Sequence, residues 1–109
     1  MIQRLFVYGT LAPGRENHYV LEKVPGVWEP ATLRGFLLDK GWGAAMGYPG
    51  IMPSDEGGVV KGWVLTSTEL ADCWKRIDTF EGDGYKRISA EVIFENGSKS
   101  MAYVYAIRV

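Results

Sequence analysis

The chain has one cysteine and one histidine in 109 residues, and each scarcity closes off a chemistry. Cys73 has no partner for an internal disulfide, which fits a reducing compartment. With His18 as the sole imidazole, the usual zinc ligand sets cannot be assembled. A Ser-His-Asp triad would have to use His18, and no Gly-x-Ser-x-Gly turn presents a serine. Neither sign of charge is in excess. The formal net charge of −1 argues against a nucleic-acid or anionic-membrane partner, either of which calls for a basic surface. No apolar run is long enough to cross a bilayer, and Met1-Ile2-Gln3-Arg4 leads directly into a strand without a signal-peptide pattern. These features predict a soluble cytoplasmic protein with no membrane and no nucleic-acid partner, and leave its oligomeric state open. The phosphate loop and the dinucleotide fingerprint are missing too, as are repeats and low-complexity linkers.

What the chain does have is apolar and aromatic material. Hydrophobic residues make up 47%, with four Trp, six Tyr and four Phe, enough for one domain over residues 1–109 with its own core. Residues 4–8 read as a buried strand, and residues 16–23 as one or two helical turns stopped by Pro25-Gly26. Residues 28–39 alternate like a strand. The glycine-rich stretch 41–50 reads as a loop or a strongly bent strand pair. Residues 59–65 form another strand, with Gly62 at its middle marking a barrel bend. Thr66 and Glu69 have capping-box spacing ahead of a helix whose stripe is Leu70, Cys73, Trp74 and Ile77, closed by Gly82-Asp83-Gly84. Residues 85–94 and 99–109 are two strands joined through Asn96-Gly97, a strong hairpin signal. Several strands are apolar on both faces, and one main helix cannot cover an open sheet. An α+β fold follows, a small closed or nearly closed β-barrel with helices packed outside.

Two segments could carry chemistry. The first strand ends in Tyr8-Gly9-Thr10-Leu11, and a strand running into a glycine turn offers backbone amides suited to an oxyanion or carboxylate. The same glycine also serves a plain sharp bend. Glu81 lies eleven positions past Leu70, which at ~100° per residue returns it to nearly the same helical angle, on the apolar face. Inward, it is a carboxylate whose charged form is opposed by burial and by the negative end of the helix dipole. Its pKa then rises toward the range of a general acid/base. Outward, it is a last-turn carboxylate in solvent or paired with Arg87. Cys73 and Trp74 sit on the core stripe. Trp28, Trp42 and Trp63 are packing residues or pocket walls, and Asp78 is a second acid or a structural hydrogen-bonding group.

At these residues the chain resembles the γ-glutamylcyclotransferase-like proteins, including γ-glutamylamine cyclotransferases and small bacterial relatives. Five segments match in order: Phe6-Val7-Tyr8-Gly9-Thr10-Leu11; Asn17-His18 with Leu21; Tyr48-Pro49-Gly50-Ile51; Val60-Lys61-Gly62-Trp63-Val64; and Ile77-Asp78-Thr79-Phe80-Glu81-Gly82 followed by Tyr85 and Arg87. Where many bacterial relatives carry a basic pair after the loop, this chain has Ala12-Pro13. The resemblance implies a mixed β-barrel with flanking helices and a cavity at one end. It also implies a cofactor-free, metal-free cyclisation of a γ-glutamyl group to 5-oxoproline that releases an amine or amino acid. Carried over, Glu81 is the acid/base, Tyr8, Gly9, Thr10 and Leu11 hold the small-molecule γ-glutamyl substrate, and Tyr85 either hydrogen-bonds it or packs at the barrel mouth. The alternative is a non-catalytic barrel that binds a small carboxylate or amino-acid derivative.

Overall fold

A computed structural model describes residues 2–9, 11–15, 18–38 and 50–107. In chain order the strands are β1 (Gln3–Val7), β2 (Val27–Leu38), β3 (Gly50–Pro53), β4 (Gly58–Ser67), β5 (Tyr85–Phe94) and β6 (Lys99–Ile107). The helix α1 (Trp74–Glu81) lies between β4 and β5, and 3₁₀ turns occupy His18–Val20 and Leu70–Asp72. One sheet takes the order β1-β4-β2-β3-β6-β5 and closes on itself through further β1–β6 and β2–β5 pairings. The closed ring therefore runs β1-β4-β2-β5-β6 and back to β1, with short β3 wedged between β2 and β6. The β1–β6 and β3–β6 pairs are parallel and the others antiparallel, so the barrel is mixed.

The double-sided apolar strands explain why closure is favourable. Successive side chains of a strand point to opposite faces. Phe6, Val64 and Val104 belong to one buried cluster, with Leu33, Ile51, Val60 and Val92, which fills the barrel. Their neighbours Leu5, Val7, Leu65 and Tyr105 belong to a second, which receives Leu70, Trp74 and Ile77 from the helical segment. An open sheet would leave one of these sets in water, at ~25 cal/mol for each Å² of apolar surface. Gly62 lets the ring tighten: a Cβ there would lie 2.4 Å from the Val7 carbonyl oxygen and 2.7 Å from the Phe6 ring.

Two sequence expectations need correction. The Thr66–Glu69 capping box does not form, because β4 extends through Ser67 and Thr66 is paired with both Arg4 and Val27 in the sheet. The Ser67 hydroxyl accepts the Glu69 N–H instead, at 3.0 Å. The helix also starts later than the Leu70 stripe suggests: Leu70–Asp72 is a 3₁₀ turn, and α1 begins at Trp74. In the segment read as one or two helical turns, the described residues carry a 3₁₀ turn, His18–Val20. Of the 41–50 stretch, Gly50 opens β3 and the remainder lies outside the described residues.

Candidate active site

Topology brings the two chemistry-bearing segments to one end of the barrel. Because β1 and β6 are parallel, with Leu5 beside Tyr103, their C-terminal ends emerge together, carrying Tyr8 and Ile107. Strand β5 is antiparallel to β6 and therefore starts there, with Tyr85 opposite Ile107. Helix α1 ends immediately before β5. Gly82 closes it at φ 80°, a left-handed conformation suited to glycine, with its N–H bonded to the Asp78 carbonyl. Glu81, the last helical residue, is thus delivered beside the end of β1.

Glu81 points inward. Trp74, Ile77 and Glu81 are the buried residues of α1, and Glu81 is only 9% exposed. Burial lifts its carboxyl from the ordinary 4.5 to about 7. Glu81 and Tyr8 are close enough that the carboxylate's charge raises the Tyr8 phenol, which burial already pushes well above its ordinary value. The same charge adds to the elevation of Tyr105.

Arg87 does not pair with Glu81 as one sequence alternative had it. Its Nε lies 3.1 Å from Asp78 Oδ1 and its Nη2 donates to Asp78 Oδ2 at 3.3 Å. The guanidinium stacks over the Trp74 ring at 4.4 Å. Asp78, a second acid or a structural hydrogen-bonding group by sequence, makes structural contacts here: besides Arg87, it accepts the Tyr105 hydroxyl at 2.6 Å.

The Tyr8 side chain has a structural task. Strands β1 and β3 lie end to end along one edge of β6, paired at Tyr103 and Ala106 respectively, and the ladder is interrupted between them. The Tyr8 hydroxyl fills that break, donating to the Tyr105 carbonyl at 3.0 Å and accepting the Ile51 N–H at 2.9 Å. Leu11 and Ala12 are buried, and Leu11 packs in the cluster beneath the helix. The Ala12 N–H donates to the Gly9 carbonyl at 3.0 Å. His18 braces the loop: its Nδ1 is 3.0 Å from the Leu11 carbonyl, and its ring leans on Trp28 at 5.3 Å. Thr10 lies outside the described residues, as do Asn17, Trp42, Tyr48 and Pro49.

Tyr85 is buried in the cluster beneath the helix and also lines a cleft of about 640 Å³ with Asp78, Gly82, Arg87 and Tyr105, so the structure gives it both a packing and a lining position. Cys73, Trp28 and Trp63 pack against the same cluster, and Trp74 is inside it, its Nε1 donating to Gln3 Oε1 at 2.7 Å. Sequence reading gives no sign of the Tyr105–Asp78 contact or of His18 as a brace, since both are long-range consequences of closure. Among the described residues, no three His, Cys, Asp or Glu side chains gather as metal ligands. Among those residues, too, no helix is long and apolar enough to cross a membrane.

A burial-perturbed glutamate beside an amide-bearing loop at the end of a mixed barrel directs attention to known proteins of that architecture. The family model described as "Gamma-glutamyl cyclotransferase, AIG2-like" matches residues 5–109. The chain belongs to this family. Among curated relatives, AIG2-like protein B of Arabidopsis thaliana is 35% identical over 103 residues, covering 92% of this chain and 55% of that protein. The γ-L-glutamyl-butirosin B γ-glutamyl cyclotransferase of Niallia circulans is 34% identical over 110 residues, covering 93% and 64%. The chain thus spans 55% to 64% of the length of these two relatives. Among solved structures, YkqA from Bacillus subtilis superposes with a TM-score of 0.75 at 31% identity, covering 99% of this chain and 36% of that one. The family and its barrel agree with what the five motifs imply.

Proposed function

We propose that this γ-glutamyl cyclotransferase-like chain cyclises a γ-glutamyl group to 5-oxoproline and releases an amine or amino acid, with Glu81 as the general acid/base. The observation that carries the reading is a buried glutamate held near pH 7 at the end of the strand that enters the Tyr8-to-Leu11 loop. The butirosin relative, named as a cyclotransferase, supports the reaction class.

The chemistry suits this inventory. The substrate's α-amine attacks its own γ-carbonyl carbon, so the new C–N bond needs no side-chain nucleophile. Glu81 takes a proton from the α-ammonium. The tetrahedral oxyanion is received by backbone amides of the loop residues Gly9, Thr10 and Leu11. On collapse the old γ-C–N bond breaks as Glu81 passes its proton to the leaving nitrogen; Glu81 then takes the second proton from the new ring nitrogen, and the released amine carries it away as ammonium. A carboxyl with a pKa near 7 is well matched to both halves of this exchange. Folding the flexible glutamyl chain so that amine and carbonyl meet is a proximity effect, worth up to ~7–11 kcal/mol in favourable intramolecular systems. In this reading Tyr85 hydrogen-bonds the substrate, and no metal or cofactor takes part.

Mass-spectrometric detection of 5-oxoproline over γ-glutamyl dipeptides, γ-glutamylamines and glutathione tests the reading. At least one member is turned over, and Glu81→Gln lowers the rate by ~10²–10⁴-fold while binding persists. Folded protein that turns over no member, and binds a γ-glutamyl ligand equally with Glu or Gln at position 81, is a binding barrel instead.

A further inference from the structure

Carbonyl groups of the segment after β1 are taken up by donors of the chain itself. The Gly9 carbonyl accepts the Ala12 N–H at 3.0 Å, the Ala12 carbonyl the Arg15 N–H at 3.0 Å, and the Arg15 carbonyl the His18 N–H at 3.2 Å. Those three bonds join backbone to backbone. The Leu11 carbonyl differs, because its partner is a side chain, His18 Nδ1 at 3.0 Å. A carbonyl oxygen can only accept, so Nδ1 carries the proton, and neutral His18 is the Nδ1–H tautomer. The Leu11 N–H, in a residue only 5% exposed, has no partner among the described residues. Buried backbone amides are nearly always paired, so an open one beside a fixed carbonyl suits an acceptor brought by a ligand.

His18 is a firm point from which to hold the loop. Its own carbonyl accepts the N–H groups of Leu21 at 2.8 Å and Glu22 at 3.1 Å, and the neighbouring Val20 and Leu21 are buried. From α1, Arg76 Nη1 donates to the Val20 carbonyl at 2.7 Å, which ties this 3₁₀ turn to the helix that ends in Glu81. The Trp28 ring supports the imidazole from the side.

We propose that His18 is a positioning residue for binding at the loop: its Nδ1–H engages the Leu11 carbonyl, so that the loop meets a carboxylate or oxyanion with N–H groups and not with C=O groups. The N–H and C=O of a trans peptide lie in one rigid plane. The unit between Leu11 and Ala12 is anchored through both, its carbonyl on His18 and its N–H on the Gly9 carbonyl. Remove the side-chain donor and one anchor is lost. The plane can then rotate, and a carbonyl oxygen turned toward an anion repels it. Donors that are already oriented when the ligand arrives bind it more tightly than donors that must first be ordered.

The inference rests on the Tyr8-to-Leu11 loop as the binding segment of the proposed function. Its probe is 5-oxoproline, the product common to the γ-glutamyl panel, titrated by calorimetry into wild type, His18→Asn and His18→Phe, with urea unfolding to confirm folding. Asn sets an amide N–H where Nδ1 stood, whereas Phe keeps a ring against Trp28 and has no donor. Binding weakens about tenfold or more in His18→Phe, the usual scale for a buried acceptor left unpaired, and Asn restores most of it. Rescue by the smaller side chain is not what a packing role gives. His18→Phe that binds like wild type, or His18→Asn that binds as weakly as His18→Phe, overturns the proposal. If either variant does not fold, ¹⁵N NMR of the wild type decides. Under alkaline conditions, where an imidazole is neutral, the His18 proton is on Nδ1, and saturating 5-oxoproline moves the Leu11 amide proton downfield. A proton on Nε2 alone, or a Leu11 amide that does not move, overturns it. A wild type that binds 5-oxoproline with the contrast between Asn and Phe intact, yet turns over no γ-glutamyl substrate, keeps this inference and loses the reaction. A wild type that does not bind 5-oxoproline overturns the inference as well.

Discussion

Replacing Glu81 by Gln should make the protein more stable while removing the proposed activity, and the gain should depend on pH in a defined way. The unfolded chain ionises this carboxyl near 4.5, whereas the folded protein holds its proton until about 7. Between those values the folded state binds a proton that the unfolded state has lost, so stability falls as pH rises through that window. Below it both states are protonated and there is no penalty; above it the penalty is complete. At ~1.36 kcal/mol for each pH unit, the full displacement corresponds to about 3 kcal/mol. That is a large share of the ~5–15 kcal/mol that holds typical domains folded. Glutamine stays neutral at nearly the same size. Urea unfolding of wild type and Glu81→Gln, followed by tryptophan fluorescence from about pH 4 to about pH 8, isolates the effect, because every other titrating group is common to both. The two free-energy curves should meet at the acidic end and separate by about 3 kcal/mol in favour of Gln at the alkaline end. Parallel curves across the whole range would refute the idea that burial perturbs Glu81.

The seam at Tyr8 makes a second expectation. Tyr8→Phe leaves the Ile51 N–H and the Tyr105 carbonyl without their shared hydroxyl, and should cost about 2 kcal/mol or more in thermal or urea unfolding. Gly62→Ala drives a methyl into the Val7 carbonyl and should cost ~1–3 kcal/mol, whereas Gly58→Ala, with nothing within 4 Å of its Cβ, should change stability by less than about 0.5 kcal/mol. At the loop, Gly9→Val should abolish binding of a γ-glutamyl ligand in calorimetry while the protein stays folded, and Thr10→Ser should be nearly silent. Loss in Thr10→Ser with Gly9→Val tolerated would move the site elsewhere.

Periodicity made most of the architecture legible. The two apolar faces of residues 99–109 mark closure, because only a barrel with a helix outside buries both, and the Asn96-Gly97 hairpin and the close approach at Gly62 are local signals with local outcomes. Glu81 was legible for a partly mistaken reason. The eleven-residue spacing from Leu70 assumes one continuous helix, but a 3₁₀ turn intervenes, and the inward face is set by Trp74 and Ile77 within α1. Thr66–Glu69 misled because the spacing that marks a helix start occurs equally at a strand end, and two sheet partners outweigh one cap. The choice of Arg87 between two carboxylates was illegible. Asp78 also receives Tyr105, and no local pattern records a partner 27 residues away. The loop's residue types were readable, whereas the tasks of the Tyr8 hydroxyl and His18 were not, since both depend on groups brought close only by the finished barrel.

The β1–β6 pairing carries a consequence for how the molecule is made. Leu5 meets Tyr103 only after nearly the whole chain has been ordered, and the Tyr8 hydroxyl waits for Tyr105 in the same strand. Contacts between such distant positions carry a heavy loop-closure entropy and form slowly. A nascent chain can assemble the β2–β4 ladder and α1 before β6 exists, yet the first strand then has nothing to seat its far edge. The bond from the Tyr8 hydroxyl to the Tyr105 carbonyl, which closes the seam, therefore has to wait until the final strand lies between β1 and β5.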